Sequence, residues 1–369
     1  MIDRKQLSSL IAGTALSTFC FGLEVVQAHP GHSPFVPHEI TPLSTAKTEQ
    51  ILVVSPEAPN RPVYSVTSGI TTFLAYGGET NKLFSLFKDV IAPNNGAIPH
   101  LHTREDEFYY ILDGTAEVIT GDKTSIVTSG NLVFLPKGNR HGFTNIGSNP
   151  LQMLVGVTPG GFEGFFRDQN KPVIDKSNPP PPEQDLAVIG QLSQKYGTEL
   201  ALDPATPSKG LTDLDFLITK ADTPDRFSYS EAGGLYTSLA NGAETGNQFS
   251  IFDVALRPQT GSTQLVTNDQ ESLSFYILDG DLTFQIGNET KVGTPGTYIY
   301  LPKGTPYSFQ NLGTSSARTL LLKTPTSIPE PATTLGVLAL SVFAATSLVK
   351  RKQQSLSSLN ASREFFKET

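Results

Sequence analysis

The strongest constraint on this chain is that it contains one segment twice. Tyr110-Ile111-Leu112-Asp113-Gly114 recurs as Tyr276-Ile277-Leu278-Asp279-Gly280, and Leu135-Pro136-Lys137-Gly138 as Leu301-Pro302-Lys303-Gly304, both at an offset of 166. Upstream, Glu79-Thr80 with Phe84 and Phe87 recurs as Glu244-Thr245 with Phe249 and Phe252, at an offset of 165. Self-similarity over such a length means two copies of one domain. With 369 residues, the chain is long enough for two sizeable cores. Short aromatic or β-branched runs bounded by Gly, Pro, Asp and Asn predict strands over 107–112, 132–135, 249–256, 275–278 and 298–301. The expected class is therefore all-β.

The first copy carries residues suited to chemistry that the second lacks. Gly96 opens G(x)3HxH(x)4E(x)6G, which runs through His100, His102 and Glu107 to Gly114. Gly130 opens G(x)5PxGxxH(x)3N, which runs through Pro136, Gly138 and His141 to Asn145. Alternate residues of a strand share a face, so His100 and His102 point the same way. Glu107 follows on the returning strand, and His141 stands just past the turn at residues 136–140. Three imidazoles and one carboxylate suit a divalent first-row transition metal: Mn, Fe, Cu, Ni or Co. The offset places Val266, Asn268, Leu273 and Tyr307 at the four ligand positions of the second copy. That copy is expected to hold no metal and to pack a mainly apolar interior around Val266 and Leu273. By the same period of two, Tyr109 follows Glu107 and Phe143 lies between His141 and Asn145, so both aromatics should line the cavity.

These two motifs resemble those of the cupins, and the duplication resembles the bicupins, over roughly residues 60–325. The first copy departs from the pattern only before the first His, where the interval is shorter by two. The resemblance implies a double-stranded β-helix, or jelly roll, for each copy. It also implies that Asn145 supports the metal site without binding the ion. Within the bicupins, oxalate decarboxylases usually carry ligands in both barrels and place an arginine three residues before the first His. Here that position is Ala97 and the second barrel is stripped. The quercetin 2,3-dioxygenase group is closer, since it includes bicupins with one metal in the first barrel. The run Pro99-His100-Leu101-His102 is similar to its motif, and the segment from Gly161 to Phe166 resembles one in quercetinase-like bacterial cupins. The expected activity is then a metal-dependent dioxygenase acting on a small aromatic or enolic substrate, with Glu107 as general base. A reading of a different class is an exported binding or matrix protein with a structural metal or a sugar ligand.

The chain ends read as targeting segments. Arg4 and Lys5 precede a mostly apolar run over 10–23, and Val26-Gln27-Ala28 is a small-residue exit before His29. Residues 1–28 are thus expected to be a cleaved signal peptide. The single cysteine, Cys20, falls within it, so the mature chain would have no thiol for a disulfide or a metal. Near the other end, Pro329-Glu330-Pro331 precedes an apolar or small stretch over 332–349, and Lys350-Arg351-Lys352 closes it. At about 1.5 Å per residue that stretch just crosses a bilayer core. The order resembles a PEP-CTERM sorting signal over 326–352. This implies a Gram-negative bacterium, processing by an exosortase, and export to the cell envelope or surroundings. A tail at 353–369 runs past the point where such signals usually stop.

The remaining segments are connective. Residues 29–60 read as a polar arm containing His29, His32 and His38, ahead of a first barrel over 61–167. Residues 168–215 read as a linker with the proline run 179–182 and a helix from Leu186 to Tyr196, stopped by Gly197. The helix should cover a barrel edge or join the barrels. The segment at 160–166 should pack its aromatics under the first barrel. The second barrel is expected over 216–325. A net charge of −8, with no cluster of Lys and Arg interleaved with aromatics, argues against nucleic acid as a partner.

Overall fold

The structure is a computed structural model and describes residues 49–66, 69–169, 172–176 and 186–325. The expected signal peptide, the arm histidines, the sorting segment and the tail lie outside these residues. Among the described residues, no helix is long and apolar enough to cross a membrane.

The chain builds two β-sandwich barrels in tandem. The first half contributes β1 (Leu52–Val54), β2 (Val63–Val66), β3 (Gly69–Ala75), β4 (Ser85–Ile91), β5 (His100–His102), β6 (Asp106–Asp113), β7 (Thr115–Thr120), β8 (Lys123–Thr128), β9 (Leu132–Leu135), β10 (His141–Asn145) and β11 (Leu151–Thr158). Two helices follow, α1 (Glu163–Gln169) and α2 (Leu186–Tyr196), then β12 (Thr198–Leu200) and β13 (Leu217–Thr219). The second half contributes β14 (Ser228–Glu231), β15 (Gly234–Ala240), β16 (Ser250–Leu256), β17 (Thr260–Gly261), β18 (Glu271–Asp279), β19 (Leu282–Ile286), β20 (Glu289–Gly293), β21 (Tyr298–Leu301), β22 (Tyr307–Asn311) and β23 (Ala317–Pro325). A seven-stranded and a five-stranded sheet make the first barrel, and a seven-stranded and a four-stranded sheet the second. The predicted strands all form, with β18 beginning four residues earlier than expected.

Alternation along the strands explains three separate cores. In β6, Tyr109 and Ile111 turn into the first barrel, while Phe108 and Tyr110 turn out. In β9, Val133 and Leu135 turn in, while Leu132 and Phe134 turn out. The outward residues are not solvated. They meet Phe249, Tyr276, Tyr298 and Leu320 of the second barrel in a middle core. Phe249 packs its ring 5.3 Å from Phe108 and 5.6 Å from Phe134. A strand buried on both faces reads as a continuous apolar run, which accounts for Phe108-Tyr109-Tyr110-Ile111-Leu112.

The barrels also exchange strands. The strand β1, which precedes the first barrel, pairs with β21 of the second. Its counterpart β13, which precedes the second barrel, pairs with β9 of the first. The end of the 29–60 arm is thus part of the second barrel's sheet, and the start of the 216–325 segment part of the first's. The repeat extends to its polar fastenings. Arg61 grips Glu79 with two hydrogen bonds of 2.8 and 2.6 Å, and Arg226 grips Glu244 with two of 2.6 and 2.9 Å. In each barrel the threonine after that glutamate donates to a phenylalanine carbonyl at 2.5 Å, Thr80 to Phe84 and Thr245 to Phe249.

Candidate metal centre

The four predicted ligands come from two facing sheets. The strands β5 and β10 of the five-stranded sheet pair at one position, His141 opposite His100. With His102 two residues on, three imidazoles project from one sheet. Glu107 lies on β6 of the seven-stranded sheet, paired with Leu135. One ligand atom from each of the four lies within 4.8 Å of the others. Nε2 of His100 is 3.3 Å from Nε2 of His102. Oε2 of Glu107 is 3.0 Å from Nε2 of His141 and 3.7 Å from Nε2 of His102.

The outer nitrogens decide which atom of each ring is free. Nδ1 of His100 lies 2.8 Å from the Ile98 carbonyl, and Nδ1 of His141 lies 2.9 Å from the Asn139 carbonyl. A carbonyl only accepts, so both Nδ1 atoms carry the proton and both Nε2 lone pairs face inward. The third imidazole faces a carboxylate beyond hydrogen-bond distance. Nδ1 of His102 and Oε2 of Glu105 face each other at 3.7 Å, both buried and without another hydrogen-bond partner among the described residues. Glu105 thus stands where carboxylates orient ligating histidines.

Protonation states suit a cation. Burial lowers His100 to about 4 and His102 to about 3, so both rings are neutral at physiological pH. Burial alone would raise Glu107, but the electrostatic pull of the three surrounding histidines outweighs it and brings it to about 2. Nε2 of His141 sits 3.0 Å from that carboxylate yet lacks hydrogen-bond geometry towards it. Two groups aimed past each other at a common point fit ligands of one ion. The arrangement could hold a divalent metal, and the residues fit it.

Tyr109 and Phe143 lie where the period of two puts them. The Tyr109 hydroxyl donates to Glu107 Oε2 at 3.1 Å, and its ring meets Phe143 edge-on at 5.4 Å. Asn145 does something else than expected. Its amide donates to the carbonyls of Ile91 and Asn149, and its oxygen accepts from Gly147 N. Asn311 makes the same fastening in the second barrel, where the ligand residues are absent. Asn145 therefore staples a turn, and its role needs no metal.

Besides Glu105, three contributors escaped the sequence reading. The segment at 160–166 packs its aromatics against the first barrel's core, as expected, and also reaches the ligands. Phe162, 6% exposed, sets its ring edge-on to His102 at 4.6 Å, backed by Phe165 and Phe166. The linker supplies β12, whose Thr198 and Leu200 pair with His102 and His100. Gly197 makes that approach possible. Its φ is +73°, and a Cβ there would lie 2.7 Å from Thr103 Oγ1. Asp89 is the third, a buried acid inside the first barrel that burial, reinforced by Glu107, raises to about 7.

The second barrel keeps the scaffold. Val266 bridges Tyr307 as His100 pairs with His141, and Gly304 N donates to Asn268 O as Gly138 N does to His102 O. The offset is thereby located in space. Leu273 is buried, but Val266 is 48% exposed and does not pack the interior as expected. It occupies a rim position, as the partly exposed His100 does.

The cupin domain matches this chain twice, at residues 88–157 and 252–323. Mannose-1-phosphate guanylyltransferase 2 of Escherichia coli O157:H7 is 32% identical over 81 residues, 22% of this chain and 17% of that protein. The match thus spans about a sixth of the transferase's length. An uncharacterized Streptomyces coelicolor protein is 30% identical over 87 residues, 24% of this chain and 79% of its own length. An oxalate decarboxylase of Bacillus subtilis, a protein with Mn(II) centres, has the same fold, with a TM-score of 0.52 and 14% identity over 78% of this chain and 80% of that one. Both halves thus carry a cupin domain, and their tandem arrangement is the fold of that two-barrel decarboxylase.

Proposed function

We propose that the first barrel is the active site of a metal-dependent oxidoreductase of dioxygenase type, quercetinase-like, acting on a small aromatic or enolic substrate. The observation that carries this reading is the Glu107 carboxylate, held ionised among three imidazoles and fixed by the Tyr109 hydroxyl. A divalent ion held by His100, His102, Glu107 and His141 would supply Lewis acidity and electron exchange with dioxygen. Glu107 is placed to take a proton from an acidic substrate hydroxyl, and Tyr109 keeps its carboxylate aimed. Phe143 and Phe162 give the site an aromatic, water-excluding wall. Arg104 and Arg140 donate to backbone carbonyls of Lys195, Ala201 and Gly121, and Ala97 offers no charge. That disfavours a dicarboxylate such as oxalate.

The test is oxygen uptake by metal-loaded protein offered flavonols and other enediol-like compounds, with metal analysis alongside. Turnover that Glu107→Gln abolishes supports the reading; loss of one general base typically costs about 10²–10⁴-fold. A second reading rests on Phe162, whose burial against His102 closes one side of the cluster. If no offered compound consumes oxygen while the protein binds a carbohydrate, the chain is better read as a surface binding or matrix protein with a structural metal.

Export belongs to the same proposal. The apolar run after Arg4-Lys5 and the Pro329-Glu330-Pro331 segment support signal cleavage near His29, membrane passage through the C-terminal segment and exosortase processing. Intact-mass measurement of protein from its native host decides this. Met1 and Thr369 in one surface-exposed molecule would overturn both cleavages.

A further inference from the structure

The middle core does not fill the space between the barrels. A cavity of about 570 Å³ remains beside the ends of β6 and β18. Both halves line it, with Tyr110 and Tyr276 at corresponding positions 166 apart. Its size is that of a small-molecule site. It is separate from the metal centre, because Lys88 and Tyr110 face outward from β4 and β6 while Asp89, Glu107 and Tyr109 face inward.

Charge in this cavity is unequally matched. Arg318 is held by Asp253, and Lys220 by Asp222 at 3.1 Å. Asp113 accepts from Gly114 N and has no cationic partner among the described residues, but its charge is not among those acting on Lys88. Lys88 forms no ion pair among the described residues, although it is only partly exposed. Burial and then the nearby Lys176 both work against its charge. A half-buried ammonium without a counter-ion favours an anionic guest. Gln152, two residues along β11 from the register partner of Lys88, lines the same cavity as a neutral donor, and Leu112, Leu278 and the two tyrosines offer apolar surface. The corresponding positions are Asp253 for Lys88 and Arg318 for Gln152, so the pair that neutralises itself on one side of the pseudo-symmetry is replaced by a lone cation on the other.

We propose that this cavity binds a compact organic monoanion with an apolar body, of the aromatic-carboxylate kind, through Lys88 and Gln152. The carboxylate would meet the ammonium and the amide, and the ring would lie against Leu112 and Tyr276.

Benzoate is a suitable probe, titrated calorimetrically into the full chain with and without Mn(II), with benzamide as its neutral counterpart. Benzoate should bind in both metal states alike. Benzamide should bind about tenfold more weakly, and Lys88→Met should weaken benzoate by about tenfold or more, while Lys88→Arg retains it. The benzoate–benzamide comparison decides the matter on unaltered protein if Lys88→Met does not fold. No benzoate binding at millimolar concentration, equal affinity for benzamide, or an unaffected Lys88→Met would overturn the proposal. So would affinity that depends on Mn(II) or is lost in His102→Ala, since that places the carboxylate at the metal.

Discussion

At the scale of single residues, the two copies form a natural comparison. The same scaffold carries Asp89, His100, His102, Glu107, Tyr109 and His141 in the first barrel, where the second has Val254, Val266, Asn268, Leu273, Phe275 and Tyr307. The four ligands were legible because their spacing is regular and the strand period gives each a face. Asp89 was equally open to that comparison, since its partner is a valine. Glu105 was not, because Glu271 occupies the same place in the second barrel. Only the approach to His102 Nδ1 reveals its function. Glu105→Gln should lower metal affinity about 10–100-fold while leaving the fold intact, whereas His102→Ala should remove most bound metal. Equilibrium dialysis with elemental analysis measures both, and full stoichiometry in His102→Ala would refute the ligand assignment.

Asp89 gives a pH prediction. Its folded form keeps the proton to about 7, while an unfolded aspartate releases it near 3.8. Between those values the native state binds more protons, so this group's contribution is present in acid and lost as pH rises. Asp89→Asn removes the loss. In metal-free protein the variant should gain on wild type progressively from pH 4 to 7, by about 4 kcal/mol at the top of the window. Denaturant titrations across that range test it. A stability difference that stays constant with pH would show that Asp89 is not held neutral.

At the scale of elements, strand identity was readable and strand partnership was not. Leu52-Val53-Val54 is a plausible strand by composition, but nothing local says that it completes the far barrel's sheet. The period of two encodes which face a residue takes, while the choice of neighbour depends on distant sequence. The helix ending at Tyr196 was legible from its spacing and from Gly197. Its consequence, the placing of β12 against His100 and His102, was hidden for the same reason as β1. The segment around α1 was read as packing, and the structure turns that packing towards chemistry. Phe162 shields His102, whose depressed pKa is due first to burial. Phe162→Ala should therefore return the His102 pKa towards 6.5 and cost stability, with Phe→Ala in cores typically near 3–5 kcal/mol. Imidazole proton resonances of the metal-free protein, followed with pH, report the shift. An unmoved His102 pKa would mean that other groups provide the desolvation.

At the scale of the whole molecule, the middle core makes the barrels one cooperative body. Outward faces of both seven-stranded sheets, with Phe108, Phe134, Phe249, Tyr276 and Tyr298, are buried only against each other. The exchanged strands add backbone ties in both directions. A fragment spanning 216–325 would lose β1, leave β13 unpaired and expose its share of that core, so it should aggregate or remain unfolded. Ligand binding then has a reach that a two-bead picture would not give. A metal bound only by the first barrel binds the native state of the entire body. At a free concentration a hundredfold above its dissociation constant it stabilises that state by about 2.7 kcal/mol. Calorimetry should show one transition that moves as a unit on metal addition. Hydrogen exchange should show amides of β18 and β23, in the barrel without the ligand set, slowed to the same extent as those of β6 and β11. Two resolved transitions, or protection confined to the first barrel, would mean that the middle core is too weak to couple them.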